Sequence, residues 1–403
     1  MPLDRLRLDL EFMPSPDPGR PGLLIRDPMR YTDTVLIVPP QLVASLAHFD
    51  GESSDNDLRH ALFQALGDIR SGEVADQLKS ALDEAGFLEN ESFDRIRAGA
   101  EREFAEQAVR LPSHLGPGGY PEDPEELNRQ WDEYLRAARS QANENTVAIA
   151  APHVSPFGGW ESYADAYAAI PKSAAERTFV VLGTSHHGEL DRFGLTRKPY
   201  ATPYGETTPA LELIDELERA APGAVAMEDY CHAVEHSIEF QVVFLQHLFG
   251  PNVRVLPILV GSYGRSIYEG GLPEKNENVA RFLGALGEIA ARDAKDLFWV
   301  LGIDMAHMGR RYGDRFLATA DRGEMAEVAD RDRARIDRAA ANDAQGFWER
   351  VQENRDDLKW CGSAPLYTFL KTVPGAKGEL LRYQQWNIDE ESVVSFAALR
   401  FER

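Results

Sequence analysis

From residue 146 onward, short uninterrupted apolar runs alternate with amphipathic stretches of helical period. TVAIAA, TFVVLGT, VRVLPILV and DLFWVLG are long enough for strands and too short for helices, and they lack in-out alternation. Strands of that kind are covered on both faces, as in a parallel sheet between helical layers. The helices come from SYADAYAAI, PALELIDELERAA, EFQVVFLQHLFG, NVARFLGALGEIAARD and APLYTFLKTV. In VEHSIEFQVVFLQHLFG, Ile238, Val242, Leu245 and Phe249 face the core and Glu235 sits where a first-turn acid belongs. His236 and Glu239 share another face, either a pocket wall or a solvated stripe. The prediction is an α/β fold: a mainly parallel sheet covered by helices on both faces. Ligand sites of such sheets lie outside the carboxyl ends of the strands.

The start of the chain reads differently. Residues 1–30 are Pro-rich (FMPSPDPGRPG) and predict an extended entry segment, while YTDTVLIVPP predicts one strand or a strand pair. Helical spacing follows in Leu42, Leu46 and Phe49, in DLRHALFQAL, and in Val74, Leu78 and Leu82 before a Gly86 stop. The chain therefore divides into a small α+β module over 1–92, which resembles a winged-helix-like domain, a charged helical linker over 93–110, and the sheet domain over 111–403. Asp123-Pro124-Glu125-Glu126 starts a helix near the opening of that domain, with Leu127, Trp131 and Leu135 as its apolar stripe.

Composition narrows the partners. A chain of 403 residues, 43% hydrophobic and 27% charged, is ordinary for two globular domains. The formal charge of -23, more than half of it in the first 150 residues, opposes phosphate backbones and anionic lipid, so neither nucleic acid nor membrane is an expected partner. Two cysteines, Cys231 and Cys361, without C-x-x-C spacing, exclude a disulfide framework and a closed Cys-rich zinc site. The start, MPLDRLRLDLEF, lacks a signal peptide's apolar core, and no run approaches the roughly 20 apolar residues of a bilayer span, so a cytoplasmic protein is expected.

Reactive side chains cluster where the apolar runs stop. His153 follows Pro152 at the end of one strand, and His186 and His187 end a second, bracketed by Gly183 and Gly188. Adjacent side chains do not face one point, so His186 is assigned to the pocket and His187 to its support. Asp304 and His307 follow a third strand three residues apart. On a helical turn they would share a face, letting the carboxylate hold the imidazole tautomer or act beside it. Cys361 precedes a glycine and a helix start, where a thiolate is favoured by helix amides and more strongly by a metal. Two imidazoles and a thiolate suit zinc, Fe(II) or copper and not an oxygen-only ion. His48, His60, His114, His232 and His247 read as surface or packing residues.

In order, A-P-H at 151–153, L-G-T-S-H-H-G at 182–188, T-P-Y-G-E at 202–206, E-H-S-I-E-F-Q at 235–241, L-P-I-L-V-G at 256–261, D-M-A-H-M-G at 304–309 and C-G at 361–362 resemble the Memo family, also called AmmeMemoRadiSam system protein B. The resemblance runs from about Leu111 to the C-terminus. It implies a fold akin to class III extradiol (LigB-type) dioxygenases and a metal pocket. The family's two metal-binding histidines and cysteine would fall on His153, His186 and Cys361, and its aspartate and further pocket histidine on Asp304 and His307. Two departures stand out. Val154-Ser155-Pro156-Phe157-Gly158-Gly159-Trp160 replaces A-G-Y-x-Y-S-G, so the family's pocket tyrosines are absent, and Gly302-Ile303-Asp304 replaces S-S-D. The N-terminal module lies outside the family's usual bounds and weakly resembles the PqqD-type modules that accompany radical-SAM maturases.

These readings imply an oxidoreductase with one transition-metal ion, Fe(II) or copper before zinc, on His153, His186 and Cys361. His307 and Asp304, with His187, would serve catalysis on a small-molecule or peptide substrate, and His236 and Glu239 would wall the pocket. A second reading is a non-enzymatic protein of a radical-SAM/AMMECR-type system, binding a peptide or partner protein, with a vestigial or sensor metal site. A third is a zinc hydrolase.

Overall fold

The computed structural model describes residues 2–67 and 70–403. The chain forms two compact units, 1–106 and 107–403. In the first, β1 (Glu11–Pro14), β2 (Leu23–Arg26) and β3 (Val35–Val38) make an antiparallel meander. Two of these strands occupy the stretch read as an extended entry. That expectation is corrected: Pro14 closes β1 instead of interrupting it, and Pro16, Pro18 and Pro21 fall in the connection to β2. Helices α1 (Asp55–Leu66), α2 (Ser71–Glu84) and α3 (Glu91–Glu106) follow. Ser54 and Asp57 form a reciprocal capping box on α1, and Gly86, at φ +70°, makes the turn after α2. Leu58, Leu62, Leu78, Leu82 and Phe87 join Ile25 and Val38 in one core.

The second unit opens with α4 (Pro124–Arg136), whose Asp123 side chain accepts from the Glu126 amide and whose Leu127 and Trp131 are buried. Its large sheet contains β4 (Thr146–Ala151), β5 (Thr178–Thr184), β6 (Phe193–Leu195), β7 (Val225–Met227), β8 (Arg254–Val260) and β9 (Leu297–Gly302). It continues through β10 (His307–Gly309), β11 (Lys377–Asn387) and β12 (Ser392–Glu402). The spatial order is β7-β6-β8-β5-β9-β4-β12-β10, with β11 also on β12. The centre, β8-β5-β9-β4, is parallel, while β6 against β8 and β12 against β4 are antiparallel. The four long apolar runs thus became the four buried central strands, in the covered, mainly parallel sheet that their patterning predicts.

Three helices position the site. α5 (Pro156–Ala168) follows β4, α6 (His236–Phe249) packs over β5 and β9, and α7 (Ser363–Thr372) leaves the loop after Trp360. α6 sits so close that a Cβ on Gly302 would collide with the Ser237 carbonyl oxygen, and one on Gly183 with Ile238. Residues 237–246 are consequently buried all round, beyond the single core face read from the sequence. No helix among the described residues is long and apolar enough to cross a membrane.

Candidate metal centre

The carboxyl ends of β4, β5 and β9 lie side by side, and each delivers a ligand-type residue. His153 is buried just beyond β4. Its amide donates to Asp304 Oδ1 at 2.9 Å, and its Nδ1 lies 2.9 Å from the Gly302 carbonyl oxygen, so Nδ1 carries the proton and Nε2 faces inward. His186, just beyond β5, is held likewise. Its amide and its Nδ1 each lie 3.0 Å from Glu235 Oε2, and 27% of its side chain stays exposed. Cys361 Sγ is 3.3 Å from His153 Nε2 and 3.7 Å from the Asp304 carbonyl oxygen. The structure therefore brings His153, His186, Cys361 and Asp304 together.

His236 completes the group. Its ring centroid is 5.2 Å from that of His153 and 5.2 Å from that of His186, stacked on the latter. His153, His186 and His236 present nitrogens close enough together to hold a metal ion. Glu235 serves both neighbours: Oε1 caps α6 by accepting from the His236 and Ser237 amides, and lies 3.3 Å from His236 Nδ1. Reading Glu235 as a first-turn acid missed that second task. The donor set fits a borderline metal. Two imidazoles are fixed from behind by a carbonyl and a carboxylate, the support that ligating histidines need, and a thiolate stands beside them.

Charge settles around this geometry. Burial would raise the Cys361 thiol, but the His153 and His307 imidazoles overcome it and hold the pKa well below the usual thiol range. Burial pulls His153 down, yet Asp304 and Cys361 carry it up to about 9. Burial also works against ionised Glu235, and His186 more than offsets it, leaving the carboxylate well below its ordinary range. Asp304, by contrast, is raised by burial, and His236 is held well below the ordinary imidazole value by burial.

Asp304 and His307 do not share a helical turn, which corrects the spacing argument. Residues 303–306 are non-helical and His307 opens strand β10, because Met305 N donates to Ser395 O and Ser395 N to Ala306 O, committing this backbone to β12. His307 Nδ1 instead faces the Met305 carbonyl at 2.9 Å and the Lys359 carbonyl at 3.2 Å. His187 is exposed beside His186. Glu239 is fully buried, paired with Arg110 at 2.7 Å and accepting from Ser113 and Tyr120, so its face is a wall and not a solvated stripe. His114, read as a surface or packing residue, packs beside the group: its ring lies 5.1 Å from that of His236, and its Nδ1 3.2 Å from Glu239. Tyr312 was also missed. Its ring stands edge-on to His307 at 4.9 Å, and burial raises its hydroxyl's pKa. No local motif marks it.

These features define an α/β protein with a metal-capable pocket at the carboxyl edge of a parallel sheet. The chain belongs to the Memo-like protein family, whose model matches residues 110–400. It is 27% identical over 382 residues to a MEMO1 family protein of Aquifex aeolicus (strain VF5), covering 94% of this chain and 95% of that one. That match extends into the first unit. The MEMO1 family protein TK1477 of Thermococcus kodakarensis is 29% identical over 310 residues, which are 73% of this chain and all of that one. TTHA0924 of Thermus thermophilus is 28% identical over 258 residues, 64% and 72% of the two chains.

Proposed function

We propose that this chain is a metal-dependent oxidoreductase that binds one Fe(II) or copper ion on His153, His186 and Cys361, with His236 beside them. The observation that carries the reading is the 3.3 Å approach of Cys361 Sγ to the inward nitrogen of His153, whose other ring nitrogen is already committed. When bound, such a metal supplies one-electron chemistry and a site for O2 or a substrate oxygen. His307, its Nδ1 held by Met305, offers Nε2 as proton acceptor, and Asp304 fixes the His153 backbone. Val154, just past His153, and Tyr312, beside His307, pack with Trp386, Ile388, Val394 and Phe396 as one apolar cluster next to these groups. A zinc hydrolase is the second reading, favoured by the third imidazole, since three histidines with an open position suit catalytic zinc.

Metal analysis of protein purified without oxygen, followed by O2 uptake with a reductant, tests the proposal. Iron or copper near one per chain with uptake is expected. Cys361→Ser and His186→Ala should each lower bound metal while the protein stays folded, and unchanged metal in both would remove this ligand set. Ester or amide hydrolysis that persists without O2 would favour zinc.

A further inference from the structure

Cys361 lies in the turn before α7 and His307 opens β10 behind an irregular stretch, and one buried carboxylate joins both segments. Asp332, on the helix Glu324–Ala340, is fully buried within the second unit. Its Oδ1 accepts from Trp360 Nε1 at 2.6 Å, one residue before Cys361. Its Oδ2 accepts from Tyr383 at 2.7 Å and from Ser395 Oγ at 2.6 Å. Ser395 Oγ in turn accepts from the amide of Ala306, one residue before His307, at 2.8 Å. The chain Trp360–Asp332–Ser395–Ala306 thus ties the cysteine loop to the Asp304–His307 loop.

The cysteine loop has reason to need an anchor. Asn354, Arg355, Asp356 and Lys359 all have φ between +52° and +58°, a conformation that disfavours L side chains. Arg335, one turn beyond Asp332, pairs with Asp356 at 2.7 Å and lies over the Trp360 ring at 5.2 Å. Without such ties, a segment of this kind would relax toward ordinary backbone and carry the sulfur with it.

We propose that Asp332 is a positioning residue of the metal centre, setting the distance between the Cys361 sulfur and the imidazoles without touching metal or substrate. This rests on the metal reading above. Its chemistry suits the role: the two carboxyl oxygens accept from three neutral donors, and an amide in its place would turn an N–H toward at least one of them.

Anaerobic titration of the full chain with Co(II), read by the thiolate-to-cobalt charge-transfer absorption and by affinity, tests it. Asp332→Asn should weaken Co(II) binding about 10–100-fold and diminish the charge-transfer band, as for other groups that orient ligands. Ser395→Ala and Trp360→Phe remove one tie each, should lower both readouts to a smaller extent, and decide the matter if Asp332→Asn fails to fold. Folded variants that melt at lower temperature yet keep wild-type affinity and spectrum would overturn the proposal and leave Asp332 a packing group. A wild-type protein that binds Co(II) without a thiolate band would instead overturn the Cys361 ligand assignment beneath it.

Discussion

Glu235→Gln separates the two tasks of one carboxylate. Glu235 is 3% exposed, caps α6 through the His236 and Ser237 amides, and takes both the amide and Nδ1 of His186. Glutamine keeps one oxygen for the helix cap but turns an NH2 group toward the His186 donors. Losing a hydrogen bond to a charged group costs about 1.5–3 kcal/mol. For a domain near this size that is roughly 3–12 °C in melting temperature. Because the carboxylate also fixes the His186 ring, metal affinity should fall about 10–100-fold. Calorimetry and chelator competition measure the two effects, and Glu235→Ala should lose about 1 kcal/mol more through the cap. Metal affinity within twofold of wild type in the glutamine variant would refute the argument and leave Glu235 a cap.

Two further outcomes follow from the same geometry. The depressed Cys361 pKa keeps the thiolate as pH falls, so in metal-free protein iodoacetamide should label Cys361 at nearly equal rates at pH 6.5 and 8.0, and added metal should slow it. An ordinary thiol, with pKa near 8.5, would slow about twentyfold over that range, and such slowing would contradict the depression. Removing one partner of the buried Arg110–Glu239 pair should destabilise by about 3–5 kcal/mol. Arg110→Met with Glu239→Gln should cost clearly less than the sum of the single changes in urea unfolding, whereas strict additivity would deny the pairing.

How much was legible depends on range. The covered strands could be read because four apolar runs of strand length need no knowledge of their neighbours, and Asp123 caps its helix from within three residues. The Asp304–His307 spacing misled, since a three-residue interval has one meaning in a helix and another beside β12, and Ser395, some 90 residues on, decided between them. His114 looked solitary until α6 placed His236 against it.

By itself the sequence determined local quantities: the long apolar runs that are strands, the amphipathic stretches that are helices, the Asp123 cap, and the reactive side chains that stand at strand ends. Tertiary structure alone decided the partners: Glu235 behind His186, Asp332 between two loops, and a sulfur beside an imidazole 208 residues away. The physical reason is that periodicity and capping act over one or two turns of chain. Strand order, by contrast, is settled by burial across the whole sheet, and only that order fixes which strand ends become neighbours.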